Sequence, residues 1–237
     1  GSLNTLSDRP GMDSQKTNSY GIKVFHSYDG FELQSYTSST NTNVIFSYDA
    51  DWGNTDSHFP YVYDYFSETL RDRKSLNQEF RVVSDSADFQ KNSFFEWVIG
   101  ASYLELKESN LKKDDGLYGD PSDPYGPYVS ASSFSSKYKS SNFSIFGNLD
   151  YLLSTSLKFS IGLRWEDWEA DYSDSLQESF NPTDKMSGGK ISLIKNMTIY
   201  TNMYASLARG YKQGGFNLGL DANATNKNLT YDPEFLT

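Results

Sequence analysis

The chain of 237 residues has no cysteine, two histidines and four methionines. Nowhere does it carry the apolar run of about 18 residues that a transmembrane helix needs. Without cysteine there are no disulfides, thiolate metal centres or sulfur nucleophiles, and the redox compartment stays open. His26 and His58 have no ligating neighbours at metal-site spacing. Gly-x-Ser-x-Gly, Walker and His-Glu-x-x-His runs are missing too, so nothing points to an enzyme or a cofactor. Positive charge is outnumbered, 21 basic to 31 acidic residues for a net charge of -10. That balance argues against nucleic acid as a partner. The acidic group Glu166, Asp167, Glu169 and Asp171 reads as a solvated rim before it reads as a glycosidase pair.

What is abundant is aromatic. Tyrosine (18) and phenylalanine (16) dominate, aromatics make up 16% of the chain, and strand formers outweigh helix formers. Mean hydropathy is -0.63, which a transmembrane barrel tolerates because its strands alternate polar and apolar residues. Two-residue alternation recurs along nearly the whole chain. Leu157, Phe159, Ile161, Leu163 and Trp165 oppose Lys158, Ser160, Gly162, Arg164 and Glu166, while Phe143 to Tyr151 and Phe95 to Tyr103 repeat the pattern. The class is all-β and antiparallel, with strands expected at 15–28, 31–48, 67–84, 93–107, 137–153, 156–170, 185–194 and 197–211, and a ninth beginning near Asn228.

Tight connections are expected at Asp29-Gly30, Ser154-Thr155 and Lys195-Asn196, with a short one over Asp85 to Asn92. Between them fall long polar connections: Asp49 to Phe66, Glu108 to Ser136, Asp171 to Asp184 and Lys212 to Lys227. Strict alternation of short and long links is the pattern of an outer-membrane barrel with short periplasmic turns and long extracellular loops. Trp97, Tyr103, Tyr151, Trp165, Trp168, Tyr200 and Tyr204 then fit the interfacial aromatic girdles. A soluble or surface β-sandwich that binds carbohydrate is the alternative.

The run Tyr200 to Asn217, with Arg209-Gly210-Tyr211-Lys212-Gln213-Gly214-Gly215-Phe216-Asn217 at its core and Tyr231-Asp232-Pro233-Glu234 after it, resembles the barrel signature of TonB-dependent outer-membrane receptors. The iron-complex branch is the nearest within that family. Asn77-Gln78-Glu79-Phe80-Arg81-Val82, Phe146-Gly147-Asn148-Leu149-Asp150-Tyr151 and Ile161-Gly162-Leu163-Arg164-Trp165-Glu166 fit in the same order. The resemblance implies a transmembrane β-barrel of 22 strands around a plug, of which this chain supplies an internal segment without the plug, the TonB box or the remaining strands. It further implies a bacterial outer-membrane location, contact with lipid and lipopolysaccharide, drive from the TonB-ExbB-ExbD complex through the plug, and uptake of a ferric siderophore. Cobalamin, haem or oligosaccharide are the alternative cargoes.

In the signature, Arg209, Gly210, Tyr211, Gly214, Gly215, Phe216 and Asn217 read as structural. Their glycines would allow positive φ and close backbone approach where the strand leaves the wall. Gly147 and Gly162 would leave room for something packed inside the barrel. Arg81, Arg164 and Glu79 are placed on the lumen side. Ligand recognition is expected in the extracellular loops, where Trp52, Tyr61, Tyr63 and Tyr65 form one aromatic group and Tyr125 and Tyr128, with Tyr118, a second, and where Arg71 or Arg73 would meet an anionic complex. Asp114, Asp115 and Asp120 supply oxygens around glycine turns in a weak calcium pattern, with ordinary solvated turns as the alternative.

Overall fold

The computed structural model describes residues 6–54, 56–85, 94–216 and 230–237. These form β1 (Met12–Tyr28), β2 (Phe31–Asp49), β3 (Val62–Ser84), β4 (Phe95–Gly119), β5 (Tyr128–Ser154), β6 (Leu157–Asp174), β7 (Ser179–Phe180), β8 (Thr183–Asn196), β9 (Asn202–Lys212), β10 (Gly215–Phe216), β11 (Thr230–Tyr231) and β12 (Glu234–Leu236). One sheet runs in the order β1-β2-β3-β4-β5-β6-β8-β9-β12 with β7 on the end of β6, and β10 pairs with β11 apart from it. Every pairing is antiparallel. The start of the expected ninth strand near Asn228, the 86–93 part of the connection after Asp85, and Asn217 lie outside the described residues.

Register propagates one apolar face across the sheet, because paired residues share a face. Val82, Ile99, Gly147, Leu163 and Gly189 form one continuous row, and Ala101, Ile145 and Trp165 form part of another. Ile22, Val24, Phe80, Ile99, Ile145, Leu163 and Leu207 on this face are all exposed, and no second sheet covers them among the described residues. In water such a patch would be untenable, and lipid is its natural cover. Aromatic pairs bound the band. Phe95 stacks on Tyr151 at 5.3 Å at one edge, and Phe143 meets Trp165 edge to face at 6.5 Å at the other. Phe143 to Tyr151 is close to the 9 to 11 tilted residues, about 3.3 Å each, that cross a bilayer.

The strands do not stop at the band. β4 has 25 residues and β5 has 27, so the long connection expected over Glu108 to Ser136 contracts to 120–127, and β3 absorbs Tyr63 and Tyr65 from the connection expected over Asp49 to Phe66. Unbroken backbone pairing carries these extensions past the band. At the other end, β8 runs to Asn196, and the turn expected at Lys195-Asn196 is the segment 197–201, closed by the Met197 amide on the Thr201 carbonyl at 2.9 Å. Gly30, at φ 85°, makes the tight turn after Asp29.

Parity corrects three placements. Trp165 and Trp168 are three residues apart and therefore face opposite sides. Trp168 is 2% exposed and packs inward with Ala170 and Met186, so it is no girdle residue. Tyr204, paired with Ile194, shares the inward face as well. Gly147 faces the apolar side, not the lumen. Gly162 does face inward, but the space its missing side chain leaves is filled by Asn148, whose Oδ1 would lie 3.0 Å from an added Cβ.

Candidate ligand-binding site

The inward face is polar and cross-braced. Arg81 pairs with Glu79 and sits 5.3 Å from the Tyr36 ring. Arg81 and Arg164 approach the ring of Phe146, at 5.9 and 5.8 Å. Arg164 Nε donates to Glu166 at 2.8 Å, Asn142 donates to the same carboxylate, and the Tyr211 hydroxyl donates to it at 3.0 Å. The expected lumen placement of Arg81, Arg164 and Glu79 agrees with this register. Glu166 belongs to the brace, while Asp167, Glu169 and Asp171 fall on the opposite face, so the acidic group does not converge.

The signature after Tyr200 forms a local fold. Arg209 lies 4.6 Å over Phe235, and Gly215 pairs with Tyr231. A Cβ at Gly214 or Gly215 would stand 2.6 Å from Tyr231 atoms. Close approach is therefore the reason for those glycines, not positive φ, since Gly30 is the one glycine with positive φ among the described residues. Gly210 has open space around it. The turn delivers Phe216 to Tyr172 at 5.2 Å, Tyr138 at 5.6 Å and Phe180 at 6.1 Å.

At the far end from the tight turns, the two tyrosine groups merge. Once β3 and β4 extend, Tyr63 pairs with Tyr118, and Tyr118 with Tyr128. Tyr63 lies 4.7 Å from Tyr65, 5.0 Å from His58 and 6.5 Å from Tyr118. Tyr65 lies so close over Gly116 that no side chain fits there. Beside them, Phe46, Tyr48 and Trp52 form a second run at 5.6 and 6.4 Å. Phe46 and Tyr48 were absent from the expected site, although their parity with the inward residues of β2 would have found them. Trp52 is 79% exposed on a backbone at φ 61°. Asp51 holds that backbone by accepting the Gly53 amide at 2.8 Å and the Tyr65 amide at 2.7 Å. Tyr61 ends the turn before β3, its amide on the His58 carbonyl at 2.8 Å. Tyr125 is 85% exposed at the β4–β5 tip.

Below the rings, Arg73 donates to Glu108 at 2.6 Å, and Arg71 donates to Asn110 at 2.8 Å and lies 3.7 Å from the same Glu108. Two guanidinium groups thus share one carboxylate. Asp114, a strand residue rather than a loop residue, accepts Ser67 at 2.6 Å and lies 3.1 Å from Lys112. Its neighbour Asp115 faces outward, and Asp120 caps the Ser122 amide at 2.8 Å. These three carboxylates do not converge on one ion, which removes the basis for the calcium pattern.

An antiparallel wall with an aromatic-bounded apolar band outside, a braced polar face inside and strands projecting past one edge is the wall of a transmembrane β-barrel. The chain belongs to the TonB dependent receptor-like β-barrel family, whose model matches residues 2–236. It is similar to the ferric yersiniabactin uptake receptor FyuA from Yersinia pestis, with TM-score 0.67 and 15% identity over 93% of this chain and 32% of that one. The siderophore receptor PiuA from Acinetobacter baumannii aligns at 0.66 and 15%, covering 95% and 37%. The copper transporter OprC aligns at 0.60 and 15%, covering 87% and 32%. The chain thus spans about a third of the length of these solved proteins, and at such identities the likeness is one of fold.

Proposed function

We propose that this chain is a segment of the barrel of an active transporter in the bacterial outer membrane that captures a ferric siderophore at its extracellular aromatic rim. The observation that carries this reading is the convergence of Tyr63, Tyr65, Tyr118 and Tyr128 on the inward face beyond the apolar band. Rings with polar tips present flat apolar surface to a ring-bearing ligand. Beneath them Arg71, Arg73 and Lys112 stand against Glu108 and Asp114, a local excess of one positive charge that suits an anionic complex. The whole transporter would contain a plug in the lumen, coupled to TonB-ExbB-ExbD. The neighbours named for ferric yersiniabactin and siderophores support iron complexes as the cargo class.

The test is uptake of ⁵⁵Fe by iron-starved cells producing the full-length transporter, offered as catecholate, phenolate and hydroxamate complexes. One complex should enter in a TonB-dependent way, and Tyr63→Ala with Tyr118→Ala should abolish that uptake while leaving the barrel folded. Uptake of cobalamin, haem or oligosaccharide instead would move the cargo assignment, and TonB-independent uptake would overturn the reading.

A further inference from the structure

We infer that Asp51 is a positioning residue for ligand capture, holding the Trp52 ring over the rim from a fixed point on β3. The inference rests on the reading of that rim as the capture site. β2 ends where Asp49 pairs with Phe66, and β3 extends past that pair to Val62. The turn that follows β2 completes the next rung. The Ala50 amide donates to the Tyr65 carbonyl at 2.7 Å, and the Asp51 carboxylate accepts the Tyr65 amide at 2.7 Å. The other carboxylate oxygen accepts the Gly53 amide at 2.8 Å. A single side chain thus joins the strand to the residue just beyond Trp52, through charge-assisted bonds, which are stronger than neutral ones.

The two ends of this tie are unequal. Tyr65 is fixed without Asp51, because its backbone is paired with Gly116 of β4 and its ring lies over that glycine. Trp52 has no such support. Its ring is largely exposed, with Tyr48 6.4 Å away, and its backbone at φ 61° is in the left-handed region that residues with a Cβ avoid. Where packing does not orient a ring, its backbone must, and here the Asp51 carboxylate holds that backbone. An exposed indole on a disfavoured backbone lowers stability twice over, and such strain persists at sites that use it. The use that fits is preorganisation. A ring held in place before binding loses less freedom when a flat ligand stacks on it, so the tie raises affinity without adding a contact. Both Asp51 oxygens are occupied by amides, so Asp51 acts through Trp52 rather than on the cargo.

The test is equilibrium binding of the ⁵⁵Fe catecholate, phenolate and hydroxamate complexes to the full-length transporter in outer-membrane fractions. For the complex that binds, Asp51→Ala should weaken affinity about tenfold, the range of an aromatic anchor, and Asp51→Asn, which keeps one acceptor oxygen, about threefold. The maximal uptake rate should not change, since the tie acts on capture and not on passage. Asp174→Ala, which removes a comparable cap on the Leu176 and Glu178 amides, should bind normally. In a Trp52→Gly background, Asp51→Ala should weaken binding less than about twofold further. An equal loss with and without Trp52 overturns the positioning role, as does full affinity in Asp51→Ala. Hydrogen exchange supplies a readout that needs no cargo. The Gly53 amide should quicken in Asp51→Ala while β3 and β4 stay protected, and an unchanged Gly53 overturns the tie. If Asp51→Ala loses the heat-modifiable gel mobility of the folded barrel, Asp51→Asn is used in every arm, with no drop in affinity counting against the role. Failure of the unaltered protein to bind any of the complexes refutes the cargo reading and this role together, whereas binding that ignores Asp51 refutes only this role.

Discussion

Phe146 on β5 lies across Gly100 on β4 so closely that a Cβ there would stand 2.5 Å from the ring and 2.8 Å from the Phe80 carbonyl oxygen. The same ring is approached by Arg81 and Arg164, so the glycine sets the geometry of a brace that reaches from β3 to β6. Gly100→Ala should overpack this point and cost about 1 to 3 kcal/mol. The readout is the temperature at which the folded barrel loses its heat-modifiable gel mobility. Phe146→Leu in the same background should recover much of the loss, and an unchanged transition in Gly100→Ala would sink the account.

Glu166 is 7% exposed and holds Arg164, Asn142 and Tyr211 together across three strands. Tyr211→Phe should cost about 1 kcal/mol, the net worth of one hydrogen bond. Glu166→Ala should cost about 2 kcal/mol, because it removes the acceptor shared by Arg164, Asn142 and Tyr211. A double-mutant cycle should give a coupling of at least roughly 0.5 kcal/mol. Additive losses would mean that Tyr211 acts through its ring on Gly188 alone.

The band and its faces were legible from the sequence because lipid on one side and a wet lumen on the other enforce period-two alternation. Past Tyr103 both faces are wet, that difference vanishes, and residues such as Glu108 to Gly119 look like loop although backbone pairing keeps them extended. For this reason the Tyr63 and Tyr118 groups, separated by a whole connection in sequence, could not be seen as one rim. Trp168 was misplaced by position along its strand, where parity against Trp165 would have turned it inward. Phe216 meets Tyr138 and Tyr172, long-range neighbours with no local signal.

Phe216 anchors the turn that ends the family signature. Phe216→Ala should remove its packing on Tyr138, Tyr172 and Phe180, a loss of about 3 kcal/mol locally. Hydrogen exchange at Gly215 and Tyr231, the β10–β11 pair, should quicken while β4 and β5 stay protected. Uniform quickening would point to global destabilisation instead.

The β4–β5 tip should respond to acid. The Tyr128 hydroxyl at 2.6 Å, and then the Tyr125 amide at 2.9 Å, hold the Asp123 carboxyl below its ordinary range. Because its folded pKa is the lower one, this clamp contributes fully above about pH 4 and is lost as pH falls through the folded value. Proteolysis at 120–127 should therefore be slow at neutral pH and faster in strong acid, and Asp123→Asn should make it fast throughout. Cleavage that ignores both pH and the substitution would show that the clamp does not order the tip.

Trp52 separates binding from stability. Its backbone at φ 61° is a conformation that costs a residue with a Cβ about 1 kcal/mol or more, and glycine adopts it freely. Its side chain is largely in solvent and has little packing to lose. Trp52→Gly should therefore leave thermal stability unchanged or slightly raised, despite the loss of a large aromatic group. If the ring contacts cargo, the same substitution should weaken binding of the ferric complex about tenfold or more, in the range of an aromatic anchor. Tyr63→Ala should weaken binding and stability together, since Tyr63 packs on His58, Tyr65 and Tyr118. Full affinity in Trp52→Gly would remove this residue from the rim and leave the β3–β4–β5 tyrosines to bind the ligand.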